Sequence, residues 1–203
     1  MGKRYDQGYF DRWYRDPAHR VKSPLVLERK VALAVAMAEY YLGHPLRSVI
    51  DVGCGEAPWR MFLKRLRPKI EYLGLDSSEY VVERYGLARD VRLCRFGDLE
   101  QLRLDRECDL LVCSDVLHYL PSPELLRGLS GFSALCPSGF AFIELFCRGD
   151  DFVGDREGFV ARPANWYRKA FAEAGFTACG SHGYLSRALR EEASTLELGA
   201  RAE

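Results

Sequence analysis

Asp51, Asp76, Asp98 and Asp115 each lie at or just beyond the end of a short apolar run, beside a turn. Carboxylates in such places accept hydrogen bonds from a ligand that offers hydroxyls, amines or a positive charge. An acid about twenty residues past a glycine turn can take both hydroxyls of a ribose diol, and Asp76 stands in that relation to Gly53 and Gly55. Asp76, Ser77 and Ser78 also suit the N-cap of the helix that follows, and the two roles are compatible. Asp115 opens the segment Asp-Val-Leu-His-Tyr, which puts His118 and Tyr119 close by. Histidine changes charge near neutral pH, so His118 and Asp115 are the candidates for moving a proton. A packing or capping histidine is the competing reading. Glu144 is a further carboxylate, inside an apolar run and equally suited to a structural role.

The glycine turn narrows the ligand. A dinucleotide fingerprint needs a third glycine, which would fall at Pro58. Glu56 also sets a negative side chain where a pyrophosphate should lie. Both features weaken a nicotinamide or flavin reading and are compatible with a ligand that has no phosphate and carries positive charge. The stretch Val49-Ile50-Asp51-Val52-Gly53-Cys54-Gly55-Glu56-Ala57 resembles motif I of the class I S-adenosylmethionine-dependent methyltransferases, with Ala57 where that family has a third glycine. Ordered motifs extend the resemblance over about residues 46–180: Asp76, Gly97-Asp98-Leu99, Ser114 to Leu120, Pro137-Ser138-Gly139, and Phe-Ala-Glu-Ala-Gly-Phe ending at Phe176.

The resemblance implies S-adenosylmethionine as donor and S-adenosylhomocysteine as product. It implies that the Gly53–Gly55 main chain holds the methionine portion, with Asp51 near its ammonium. Asp76, with Ser77 beside it, would take the ribose; Asp98 the adenine amino group; and the Leu99 N–H a ring nitrogen. Ser114 and Asp115, after the fourth strand, would face the transferable methyl. Transfer from a sulfonium is an in-line displacement, where alignment alone can supply roughly 7–11 kcal/mol. A base is needed only if the acceptor must lose a proton.

Strands and helices must bring these residues together. β-Branched and apolar runs predict strands at Arg47 to Val52, Ile70 to Leu75, Val91 to Phe96, Cys108 to Ser114, Phe140 to Phe146 and Phe176 to Ser181. A last antiparallel edge strand is expected at Thr195 to Leu198. Helices are expected after Ser23-Pro24 to Leu42, at Pro58 to Leu66, Glu79 to Tyr85 and Glu124 to Leu135, and from about Arg162 to Ala174, with Leu185 to Glu191 a helical connection. Successive βα units demand right-handed crossovers. The fold class is therefore α/β, doubly wound, with a mostly parallel seven-stranded sheet and helices on both faces. Arg29 and Lys30 read as solvated charges on the first long helix.

Residues 1–22 are expected to form an aromatic arm or lid, and the resemblance implies that residues 23–203 form a single S-adenosylmethionine-binding methyltransferase domain. Tyr9 with Trp13, and Phe10 with Tyr14, are i, i+4 pairs, so a short helix would align their rings. Such an arm can cover apolar surface or close over the ligand, since aromatic faces attract a sulfonium. Trp13 and Tyr14 with Tyr119, Arg148, Arg162 and Trp166 form the expected acceptor pocket, suited to a small, planar or acidic metabolite.

The 29 basic residues balance 29 acidic ones, which disfavours a nucleic-acid partner. No run is long and apolar enough for a membrane helix, and no apolar signal core opens the chain. The seven cysteines include no C-x-x-C pair, and their spacing with His118 fits no common zinc pattern, so a reduced cytoplasmic protein without metal is expected, monomeric or homodimeric. The leading reading is a methyltransferase acting on nitrogen or oxygen of a small molecule. A non-catalytic S-adenosylmethionine-binding or protein-interaction module is the alternative, and a nucleotide-cofactor oxidoreductase a more distant one.

Overall fold

The computed structural model describes residues 3–19, 23–104 and 107–199. The ends of the arm as read from sequence (1–2 and 20–22) and residues 200–203 lie outside the described residues. The chain opens with α1 (Gln7–Phe10), which runs into a π-helical turn at Asp11–Arg15. α2 (Pro24–Leu42) follows, capped by the Ser23 hydroxyl, which accepts from the Val26 N–H, and ended by Gly43 in a left-handed conformation. Then come β1 (Ser48–Val52), α3 (Pro58–Leu66), β2 (Glu71–Asp76), α4 (Glu79–Arg89) and β3 (Val91–Leu93). A 3-10 helix at Phe96–Gln101 leads to β4 (Leu110–Ser114), a 3-10 turn (Leu117–Tyr119) and α5 (Ser122–Leu135). β5 (Phe140–Glu144), α6 (Ala164–Glu173), β6 (Thr177–Gly180), β7 (Gly183–Leu185) and a 3-10 turn (Leu189–Glu192) complete it.

The sheet has seven strands in the order β3-β2-β1-β4-β5-β7-β6. Pairings from β3 to β5 are parallel, and β7 runs antiparallel to both neighbours. Alternation along the central strands feeds two cores. Val49, Leu110, Val112, Phe140 and Phe142 face α2, α3 and α4. Ile50, Val52, Leu111, Cys113, Ala141 and Ile143 face α5 and α6. Both faces of the parallel strands are buried, so they read as continuous apolar runs. Strand order reverses between β1 and β4, and at such a switch point the carboxyl ends open a crevice.

Three expectations change. The seventh strand is Gly183–Leu185, inserted between β5 and β6, while Thr195 to Leu198 forms turns. A tight hairpin makes it: Ser181 and His182 take φ 37° and 65°, a conformation that sequence signals assign to Asn-Gly pairs. Phe96, expected in strand three, instead starts the 3-10 helix that packs on α5. Lys30 is not solvated; it pairs with Glu144 at the end of β5, both side chains being largely buried.

Candidate functional site

At the switch point, β1 ends in Asp51-Val52 and the chain turns through Gly53 and Gly55, at φ 69° and 54°. The turn is tied to β2 because the Gly53 and Cys54 N–H groups donate to the Leu75 carbonyl, at 2.7 and 3.1 Å. Asp76, at the end of β2, completes the frame. Its carboxylate accepts from the Gly55 N–H and the Ser78 N–H, each at 2.8 Å. Burial raises its pKa, and the backbone donors oppose that shift. Asp51 is buried and accepts from the Tyr72 hydroxyl at 2.8 Å. The glycines are filled from within: a Cβ on Gly53 would lie 2.3 Å from Val116, and one on Gly55 2.3 Å from the Tyr14 hydroxyl. The close approach that glycine permits here serves β4's loop and the arm before it serves a ligand.

These strand ends open into a cavity of about 810 Å³, in the upper part of the usual range for small-molecule sites. Asp51, Gly53, Gly55, Asp76, Ser77, Ser114, Asp115, His118 and Tyr119 line it, with Trp13 and Tyr14 from the arm. Asp98 lies in an adjoining depression that shares Ser77 and Cys94 with the main cavity. The Leu99 side chain is in the core, so only its main chain could meet a ligand. Among the described residues, no group of three or more His, Cys, Asp and Glu side chains is placed to hold a metal ion, and no helix is long and apolar enough to cross a membrane.

A methyltransferase-domain family model matches residues 49–139, the stretch from β1 to the turn before β5. The fold is that of the class I S-adenosylmethionine-dependent methyltransferase family.

Solved structures of this fold lie close in shape and far in sequence. An amino pentose methyltransferase of Micromonospora echinaspora, involved in calicheamicin biosynthesis, superposes with a TM-score of 0.63 at 18% identity, covering 88% of this chain and 92% of that one. The magnesium protoporphyrin IX methyltransferase of Synechocystis PCC 6803 gives 0.59 at 22% identity, covering 87% and 90%. Among curated proteins, an uncharacterized protein of Synechococcus sp. is 29% identical over 113 residues, 52% of this chain. The match spans about a quarter of that relative's length (26%).

Within this methyltransferase fold, the expected arginine wall is absent from the cavity. The Arg148 guanidinium donates to the Ala161 carbonyl and closes its own loop. Arg162 is buried, donating to the Ser122 hydroxyl, the Leu120 carbonyl and the Tyr167 hydroxyl, with its guanidinium 4.8 Å from the Trp166 ring centre. A guanidinium that satisfies its donors inside the protein is a brace. Trp166 packs on the α5–α6 core beside it. Tyr5, Tyr9, Phe146, Phe152, Asp155 and Glu124 line the cavity instead. The available signal was the aromatic content of the 146–159 loop, masked by its more conspicuous charges.

His118 is fully buried, with Tyr119, Phe146, Phe152 and Phe159 around its ring. Its Nδ1 accepts from the Phe146 N–H at 3.3 Å, so that nitrogen carries no proton and the neutral ring carries it on Nε2. Asp115 has a left-handed backbone (φ 63°), and its N–H donates to the Glu144 carbonyl at 2.9 Å. Glu144 accepts from the Ser114 hydroxyl at 2.5 Å and is held by Lys30.

The arm contributes Tyr5, Tyr9, Phe10, Trp13 and Tyr14 to the cavity lining. Phe10 is buried and stacks on Tyr80. Arg15 pairs with Glu56 of the glycine turn and donates to the Tyr85 hydroxyl at 3.1 Å. Arg89 donates to the Glu56 carbonyl. At the other end, the Tyr5 carbonyl accepts from the Ser78 hydroxyl, and Lys3 pairs with Asp155.

Proposed function

We propose that this protein transfers a methyl group from S-adenosylmethionine to a small-molecule acceptor by in-line displacement. The observation that carries the reading is the convergence of Gly53, Gly55, Asp76 and Asp115, from three separate strand ends, on one cavity. In this reading the turn from Gly53 to Gly55 receives the methionine portion, beside Asp51. Asp76 receives the ribose diol through carboxylate lone pairs that the Gly55 and Ser78 N–H groups leave unused. Adenine extends past Ser77 toward the depression at Asp98, within reach of the Leu99 main chain. Bound S-adenosylmethionine supplies an activated methyl on a sulfonium, and the chain's task is to align the acceptor and exclude water.

The same cavity supports a reading of the domains. Residues 23–203 make the cofactor domain, and the aromatic arm is its lid, with Trp13 and Tyr14 over the cavity. Asp115 is the group that takes a proton where the acceptor must lose one. His118 fixes the turn at Phe146, because its Nδ1 is already engaged and its Nε2 holds a proton. It is a positioning residue for the aromatic wall. A donor-binding module without catalysis has less support, because the cavity continues past the strand ends to the wall of Tyr119, Phe146 and Phe152.

Calorimetry with S-adenosylhomocysteine and with NADH tests the cofactor. Binding of the former alone is expected, and Asp76→Ala weakens it about tenfold or more, ~1.4 kcal/mol. Binding of NADH alone overturns the reading. Incubating the protein and a cell extract with methyl-labelled donor tests the acceptor: label is expected in the small-molecule fraction, and label only in macromolecules rejects that class.

A further inference from the structure

At one corner of the cavity lining, the chain's own Lys3 ammonium sits among three tyrosine rings and a carboxylate. Lys3 Nζ lies 3.9 Å from the ring centre of Tyr119, 5.3 Å from that of Tyr9 and 5.4 Å from that of Tyr5. It pairs with Asp155 and donates to the Glu157 carbonyl at 3.1 Å. The side chains of Lys3 and Asp155 are only 13% and 11% exposed. An ammonium this far out of water needs compensating partners, and electron-rich ring faces with one carboxylate supply them. Tyr5, Tyr9, Tyr119 and Asp155 all line the cavity, so the same partners face the ligand space. The Tyr5 phenol is pushed up to about 12, by burial first and then by Asp155, and the Tyr119 phenol is raised by the same two causes.

We propose that this corner binds an aliphatic ammonium group of the methyl acceptor, and that Lys3 occupies it until the acceptor displaces it. That the ligand is a methyl acceptor rests on the methyltransferase reading; the ammonium site does not. Lys3 can leave by side-chain rotation while the rings stay, because the Ser78 hydroxyl holds the Tyr5 carbonyl and Tyr9 belongs to α1. A protonated amine has no lone pair to take a methyl group. The ammonium is thus a handle, and the accepting atom lies elsewhere on the same molecule. Arg148 and Arg162 are turned to other work, and Arg60, Lys64 and Arg89 line other parts of the cavity, so the preference for an ammonium belongs to this corner alone.

Ligand-observed NMR with n-butylammonium chloride, and with n-butanol as the uncharged control, tests the site in the full chain. An internal competitor scales the apparent affinity down in proportion to the fraction of time the site is vacant. Lys3→Ala is therefore expected to bind n-butylammonium about tenfold more tightly than the parent, with no gain for n-butanol. Asp155→Asn in that background should abolish the gain. Tyr119→Leu, a second variant that keeps an apolar side chain there, should reduce it at least about threefold. Equal affinity of parent and Lys3→Ala, or an equal gain for n-butanol, overturns the proposal. S-adenosylhomocysteine binding, measured alongside, separates the two readings. If Lys3→Ala binds it but shows no ammonium gain, the ammonium site alone falls. If the gain appears and neither protein binds S-adenosylhomocysteine, the ammonium site stands and the methyltransferase reading falls.

Discussion

At Gly53 two constraints act on one residue. Its φ of 69° costs an L-residue about 1–2 kcal/mol, and a Cβ would meet Val116 at 2.3 Å. Gly53→Ala is therefore expected to lower stability by more than the backbone cost alone. Val116→Ala in the same chain removes the γ-carbon clash, leaving only a 3.3 Å contact with its own Cβ, and should return most of the steric part and leave ~1–2 kcal/mol, as read from urea denaturation midpoints. At Asp51 the cost has a different origin. Tyr72→Phe removes a buried donor to that carboxylate and should cost about 1–3 kcal/mol in thermal or urea unfolding. The types of these residues were legible: an acid and paired glycines after an apolar run. Their partners were not, because Tyr14, Val116 and Tyr72 come from other parts of the chain. Arg162 shows the opposite case, a charge that looked like a ligand group and folds inward as a brace.

Among the elements, the arm is the one whose behaviour follows most directly from its contacts. Arg15 pairs with Glu56 and Lys3 with Asp155, while Phe10 and Tyr80 stack between those ends. Arg15→Ala should speed hydrogen exchange of the arm amides and lower stability by ~1 kcal/mol or less, since the arginine side chain is 39% exposed. S-adenosylhomocysteine should slow exchange of the same amides in the parent protein if the arm is a lid. Unchanged exchange on binding would remove the lid role. The i, i+4 pairing of aromatics anticipated a helix, but the chain forms one turn of α-helix and then widens to a π-helical turn. Phe10 and Tyr14 still meet, their ring centres 5.1 Å apart, whereas the Tyr9 ring meets Tyr5 and Phe10; local spacing does not reveal that second arrangement. β7 was missed for a related reason. Three residues carry little periodicity, and its register comes from β5 and β6 on either side.

Across the whole molecule, burial acts on many tyrosines with the same sign. The phenols of Tyr5, Tyr41 and Tyr184 are raised from 10.0 to about 12, each chiefly by desolvation. The unfolded chain releases these protons first. The stability they confer is complete below pH 10 and is lost as pH rises toward 12. Native tyrosinate absorbance should therefore lag that of the unfolded protein, and the urea midpoint should fall through this window. Cys54, Cys108 and Cys113 are likewise buried with raised thiol pKa values. A thiol reagent at pH 8 should modify them slowly in the native state, whereas all seven cysteines should react in urea.

By itself the sequence determined the α/β architecture, because buried parallel strands require continuous apolar runs and their turns require glycine, serine and acid at set places. It also placed Asp51, Gly53, Gly55, Asp76 and Asp115 at strand ends, since chain order alone puts those ends on one edge of a parallel sheet. Only the tertiary structure decided what faces the ligand space between them. A side chain's direction depends on whether its charge finds partners inside the protein. Arg148 and Arg162 do find them and leave the cavity, while Tyr5, Tyr9, Tyr119 and Asp155 meet from three distant segments around one ammonium.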